Sequence, residues 1–148
     1  MWGSSRLSAY THTYGSKINN LCAAAAVGRN VSKSLRISSK ASIFTAELVA
    51  LNLSLDIIRR SKYQKFAIFS DSLYSLLAIH NQHLRTGHVL KFITDYTHLS
   101  NSGKTMVLIW IPSHIGITAG TLVPAVLMAT SHFYGNGQTL TTHRMRTP

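Results

Sequence analysis

Four side chains in this 148-residue chain carry carboxylates: Glu47, Asp56, Asp71 and Asp95. Asp71 has the setting best suited to chemistry. It follows Phe66-Ala67-Ile68-Phe69, a short apolar run that predicts a strand buried on both faces. It precedes Leu73, Leu76, Leu77 and His80, whose spacing predicts a helix. A carboxylate between such a strand and helix stands at the edge where open α/β sheets bind ligands. The plainer alternative is that Asp71 or Ser72 only caps the helix. Glu47 falls in the first turns of another helical pattern, where acids suit the helix dipole, so alone it says little. Hard cations need oxygen donors, and a chain this poor in acids has few places to hold one. The single cysteine, Cys22, lies among alanines and reads as a small core residue. It excludes an intrachain disulfide framework, and no Cys/His group has zinc spacing.

The charge balance points to a partner. Fifteen Lys and Arg stand against four acids, a net charge of +11 with neutral histidines, and the cations are spread along the chain. A scattered basic excess fits a polyanion, most simply nucleic acid; the alternative is a set of basic solvated faces. The length suits one domain with a real core, and a hydrophobic content of 45% argues against disorder. No apolar run reaches the ~18 residues of a membrane span. The opening MWGSSRLSAY lacks a signal-peptide core, so an intracellular setting, nucleus or cytoplasm, with no membrane partner, is expected.

The elements that would position these residues follow from periodicity. Leu7 to Tyr14 reads as a strand running into Gly15-Ser16-Lys17, with a turn at Ile18-Asn19-Asn20. Leu21 to Val27 is a second apolar run whose alanines are poor strand formers, so its flanking turns must arbitrate. Val31, Leu35 and Ile37 form a basic, half-exposed third strand, which suggests an antiparallel meander. Ser42 can cap a helix over Ile43 to Arg60, with Phe44, Leu48, Leu51, Leu55 and Ile58 as its apolar stripe. Ile79 to Gly87 reads as a polar loop. Val89, Phe92, Ile93, Tyr96 and Leu99 make another helical face, closed by Asn101-Ser102-Gly103. Met106 to Ile111 is the second parallel-strand candidate. The order predicts a mixed α/β sheet with an antiparallel flank and helices on its faces.

Three motifs in this order, FTAE (Phe44 to Glu47), FSDS (Phe69 to Ser72) and WIPSHIGI (Trp110 to Ile117), resemble the type 1 ribonuclease H domain. The version they most resemble is the reverse transcriptase-associated one of non-LTR retrotransposon polyproteins. Gly15-Ser16-Lys17 matches the end of that family's first motif, YTDGSK. The resemblance covers about residues 7 to 118. It implies a ribonuclease H-like mixed five-stranded sheet with helices on both faces. It also implies hydrolysis of the RNA strand of RNA–DNA hybrids by four carboxylates and two Mg²⁺ ions. Two hard cations ~4 Å apart clamp the scissile phosphate and serve the attacking and leaving oxygens. By resemblance Glu47 and Asp71 are metal ligands and His114 is a candidate for proton transfer or product release. Ser16, Lys17 and Ser72, inside the matched motifs, are candidate nucleic-acid contacts.

The sequence departs from the family pattern in two places. Tyr14 stands where the first carboxylate belongs, and a neutral phenol is a poor Mg²⁺ ligand. His12 is near, but imidazole prefers softer metals. After Ile117 the family continues with GNE and then an Asp at the start of the last helix. Here Thr118 to Pro124 reads TAGTLVP, and no acid follows Asp95. Val126, Leu127 and Met128 could still form a last helix behind Pro124. A domain over 7–130 and a basic, disordered tail over 131–148 are therefore expected. The chain would act as a monomer or as part of a larger polyprotein. Three readings stay open: a working nuclease with unusual ligands, a catalytically dead nucleic-acid binder, and a decayed retrotransposon reading frame.

Overall fold

Two tight hairpins open the chain. Strands β1 (Ser8–Ile18) and β2 (Leu21–Gly28) pair antiparallel through Asn19-Asn20, and β2 joins β3 (Val31–Ile37) through Arg29-Asn30. Asn19 and Asn30 have φ of 54° and 60°, the left-handed region that asparagine tolerates in two-residue hairpin loops. The structure, a computed structural model, describes residues 8–81, 86–112, 128–131 and 143–144.

Helix α1 (Ile43–Arg60) follows, with Ser42 as N-cap accepting from the Thr45 amide at 3.1 Å and Arg59 and Arg60 in the last turn. Then come β4 (Lys65–Ser70), α2 (Leu73–Asn81), α3 (Gly87–Asn101) and β5 (Thr105–Trp110). Strands β1, β4 and β5 are parallel, and the sheet order is β3-β2-β1-β4-β5. This is the ribonuclease H-like mixed five-stranded sheet with three helices. Two short strands, β6 (Met128–Ser131) and β7 (His143–Arg144), extend it beyond β5.

One face of the sheet carries the core. Phe66 and Ile68 of β4 and Met106 and Leu108 of β5 pack against Leu48, Leu51, Leu55 and Ile58 of α1. Leu76 and Ile79 of α2 and Val89, Phe92, Tyr96 and Leu99 of α3 complete the same cluster, so all three described helices share this face. The alanines of β2 also find their reason here. Cys22, Ala24 and Ala26 are buried, and Ala24 packs on Val49 and Ala50 of α1. Small side chains on both surfaces let helix and sheet approach closely, which overrides the weak strand propensity of alanine.

Four expectations need correction. The first strand runs past Tyr14 to Ile18, because the β1–β2 ladder continues to the Ile18–Leu21 pair. Ile79 is no loop residue: α2 continues to Asn81 and Ile79 is fully buried. Met128 opens strand β6 instead of closing a helix, since its backbone pairs with Trp110. Ser131 and His143–Arg144, assigned to the tail, are likewise strand residues; the rest of the tail lies outside the described residues.

Candidate functional site

Asp71 is not the helix cap. Ser72 takes that role, accepting from the Ser75 amide at 3.3 Å and sharing a 2.8 Å hydroxyl contact with Ser75. That leaves the Asp71 side chain exposed beyond the end of β4. The backbone there is held firmly. The Trp110 indole N–H donates to the Asp71 carbonyl at 3.2 Å, and the Ile111 amide donates to the Ser70 carbonyl at 2.9 Å.

Glu47 reaches the same point from α1. It lies beyond the first turn, which holds no acid, and is only 6% exposed, so helix-dipole stabilisation does not account for it. Its carboxyl pKa is pushed up to about 8, first by burial and then by its hydrogen bond to, and charge repulsion from, the Asp71 carboxylate. The Gly15 N–H donates to Glu47 and opposes that shift. Burial and the neighbouring Asp71 together disfavour two bare carboxylates side by side. Ionising both groups would set up a repulsion that a cation between the carboxylates would relieve.

Gly15 makes this approach possible. A Cβ at residue 15 would lie 2.7 Å from the Glu47 backbone nitrogen and 2.9 Å from the Ala46 carbonyl carbon, and would run into the Glu47 carboxylate. A cavity of about 490 Å³ opens over the pair, lined by Gly15, Ile43, Phe44, Glu47, Asp71, Ser72 and Tyr74. A second cavity of about 270 Å³ borders Asp71 on its other side, with His12, Thr13, Tyr14, Phe69, Ser70, Ile111 and Pro112.

Tyr14 sits in this second cavity beside Asp71. The parallel ladder between β1 and β4 ends at His12–Phe69, and the Thr13 hydroxyl donates to the Phe69 carbonyl at 3.0 Å just beyond it. Tyr14 is 52% exposed, so the position accepts a large side chain without strain. Ser16 is exposed on β1, while the Lys17 ammonium donates to the Ala41 carbonyl at 2.6 Å, a contact that ties β1 to the entry of α1. His114 lies outside the described residues.

Two carboxyl groups on one cavity are hard oxygen donors and fit one Mg²⁺ completed by waters. Among the described residues no group of three His, Cys, Asp or Glu side chains could hold a metal. The donor set therefore suits one ion better than two. No described helix is long and apolar enough to cross a membrane.

Sequence reasoning missed several parts of the site. One is Tyr74, 82% exposed at the cavity rim, on the outer side of α2, whose buried residues are Ser75, Leu76, Ala78 and Ile79. The Gly15 amide donor and the Trp110 anchor had no local signal, because both act across elements distant in sequence.

No family model matches the chain, and no curated protein matches it. Among solved structures it is similar to the crystal structure of RNase H1 from the halophilic archaeon Halobacterium salinarum. That match has a TM-score of 0.59 and 13% identity, and it covers 72% of this chain and 86% of that one. At such identity the likeness establishes the fold alone: this chain has the ribonuclease H-like α/β fold.

Proposed function

We propose that the chain is a ribonuclease H-type module of retrotransposon origin that binds RNA–DNA hybrids and has a reduced capacity to hydrolyse the RNA strand. The observation that carries this is the convergence of Glu47 and Asp71 on one cavity at the carboxyl end of the parallel strands. That is where a ribonuclease H-like fold has room for metal-assisted phosphodiester chemistry. Glu47 and Asp71 would hold one Mg²⁺, whose chemistry would be to polarise a phosphate oxygen or a bound water. Gly15 would keep the Glu47 carboxylate aimed at the ion. Tyr14 supplies no third carboxylate, so a second ion lacks ligands on that side. His114 is retained as a candidate for proton transfer or product release.

A second reading is a nucleic-acid binder without hydrolysis. It is favoured by Tyr14, whose exposed phenol fills the place beside Asp71 where the resemblance expects an acid. Single-turnover cleavage of a labelled hybrid in Mg²⁺ separates the two. Slow cleavage that disappears in Glu47→Gln and in Asp71→Asn supports the nuclease reading. Binding without any cleavage leaves the second reading. Failure to bind the hybrid at low salt overturns both.

A further inference from the structure

The second face of the sheet holds a group of rings that extends away from the carboxylate site and meets it at the Tyr14 end. Alternation along β1 turns Thr11, Thr13 and Gly15 toward α1 and sends Tyr10, His12 and Tyr14 to the opposite side. The registers place Val27 and Phe69 on either side of His12, and Ala25 beside Tyr14. His12 stacks on Phe69 with centroids 4.9 Å apart and planes at 18°, and on Tyr14 at 6.4 Å and 19°. Tyr10 meets His12 edge-on at 5.4 Å. The outer rings are open, with Tyr10 50% and Tyr14 52% exposed, and Val27 beside them is 39% exposed.

Charge says what kind of partner fits. Every Asp and Glu of the chain is accounted for: Glu47, Asp56 and Asp95 lie on α1 and α3 across the sheet, and only Asp71 borders this face, at one end. On the face itself the registers place Arg36, exposed on β3, in the row of Ala23 and Ser16, next to that of Tyr14. Two exposed rings four residues apart on a central strand, with half-buried His12 between them, Arg36 at one flank and most carboxylates elsewhere, form a stacking platform for unpaired bases and their phosphates. A duplex keeps its bases stacked inside and offers nothing to these rings.

We infer that the Tyr10–His12–Tyr14 face binds single-stranded nucleic acid by base stacking, as a site separate from the Glu47–Asp71 cavity. The inference does not need hydrolysis: absence of hybrid cleavage would leave it intact. The test is fluorescence anisotropy of the full chain with a labelled oligothymidylate, and with a labelled blunt hybrid duplex in parallel. Tyr10→Ser removes one platform and should weaken oligothymidylate binding roughly 5- to 100-fold, with hybrid binding unchanged. Tyr10→Phe keeps the ring and should bind like the parent. Arg36→Glu, at an exposed strand position, should also weaken the single strand and provides a second route if Tyr10→Ser melts early. Equal binding by parent, Tyr10→Ser and Arg36→Glu would overturn the inference. So would parallel losses on both nucleic acids in Tyr10→Ser. A concentration-dependent dimer in sedimentation that Tyr10→Ser dissociates would instead assign this face to a second copy and overturn it as well.

Discussion

Glu47 and Asp71 lie within hydrogen-bonding reach, so the pair is a proton site as much as a metal site. The unfolded Glu47 ionises near 4.5 and the folded one near 8. Between these values the folded state binds more protons, so stability falls as pH rises. Each pKa unit corresponds to about 1.4 kcal/mol before solvent access reduces it. Thermal melts in a chelator from pH 5 to about 8.5 should show a declining Tm. Glu47→Gln, which stays neutral and keeps its amide donor, should flatten that slope; a parallel slope in the variant would place its cause elsewhere. Tyr14 gives the second prediction at this scale. Tyr14→Asp adds a carboxylate beside Asp71 and should tighten Mg²⁺ binding, read by calorimetry. It should not by itself produce fast hydrolysis, because a clamp on both the attacking and leaving oxygens needs two ions. Each missing electrostatic stabiliser costs on the order of 100- to 1,000-fold in rate. Fast cleavage by Tyr14→Asp alone would refute that account.

At the scale of elements, the site depends on how closely β1 and α1 approach. Gly15 has no room for a Cβ against the backbone of Ala46 and Glu47, a rigid obstacle that a rotamer change cannot relieve. Gly15→Ala should therefore push α1 outward and destabilise the fold by about 1–3 kcal/mol. It should also misplace Glu47, so that Mg²⁺ affinity falls together with stability; a Gly15→Ala protein as stable as the parent would contradict this contact. Ser72 sets the start of α2, and Ser72→Ala should cost ~1 kcal/mol through the lost cap. Because Asp71 does not cap the helix, Asp71→Asn should cost no cap and should change the melt only through Glu47, while removing a metal ligand. Denaturant titration of these variants distinguishes the two roles.

For the whole molecule, charge and sheet faces decide behaviour. With a net charge of +11, binding to any nucleic acid should proceed largely by counterion release. About six neutralised phosphates would give roughly a 1,000-fold loss of affinity between 50 and 200 mM salt. Affinity that stays flat over that range would exclude a phosphate-dominated interface. The three described helices load one face of the sheet, and the exposed rings of Tyr10 and Tyr14 are on the other. The parallel strands β1, β4 and β5 bring the ends of β1 and β4 to one edge, so that residues about 24 to 56 positions apart in sequence meet around Asp71.

Much of this architecture was legible in the sequence because it depends on local rules. Apolar runs at Phe66–Phe69 and Met106–Ile109 marked the buried parallel strands. The stripe through Leu48, Leu51, Leu55 and Ile58 marked α1, and Asn19 and Asn30 marked the hairpins. The motifs around Glu47 and Asp71 also named the two carboxylates that converge. Other features depend on contacts between distant segments, which local periodicity does not encode. The alanine run became a strand because α1 needs small neighbours, and α2 ran on to Asn81 because Ile79 found the shared core. The raised pKa of Glu47 required burial and Asp71 together, and the cradle at Gly15 required β1 and α1 in contact. Composition and pattern chose the elements; only their packing decided which carboxyl group is buried and which rings face outward.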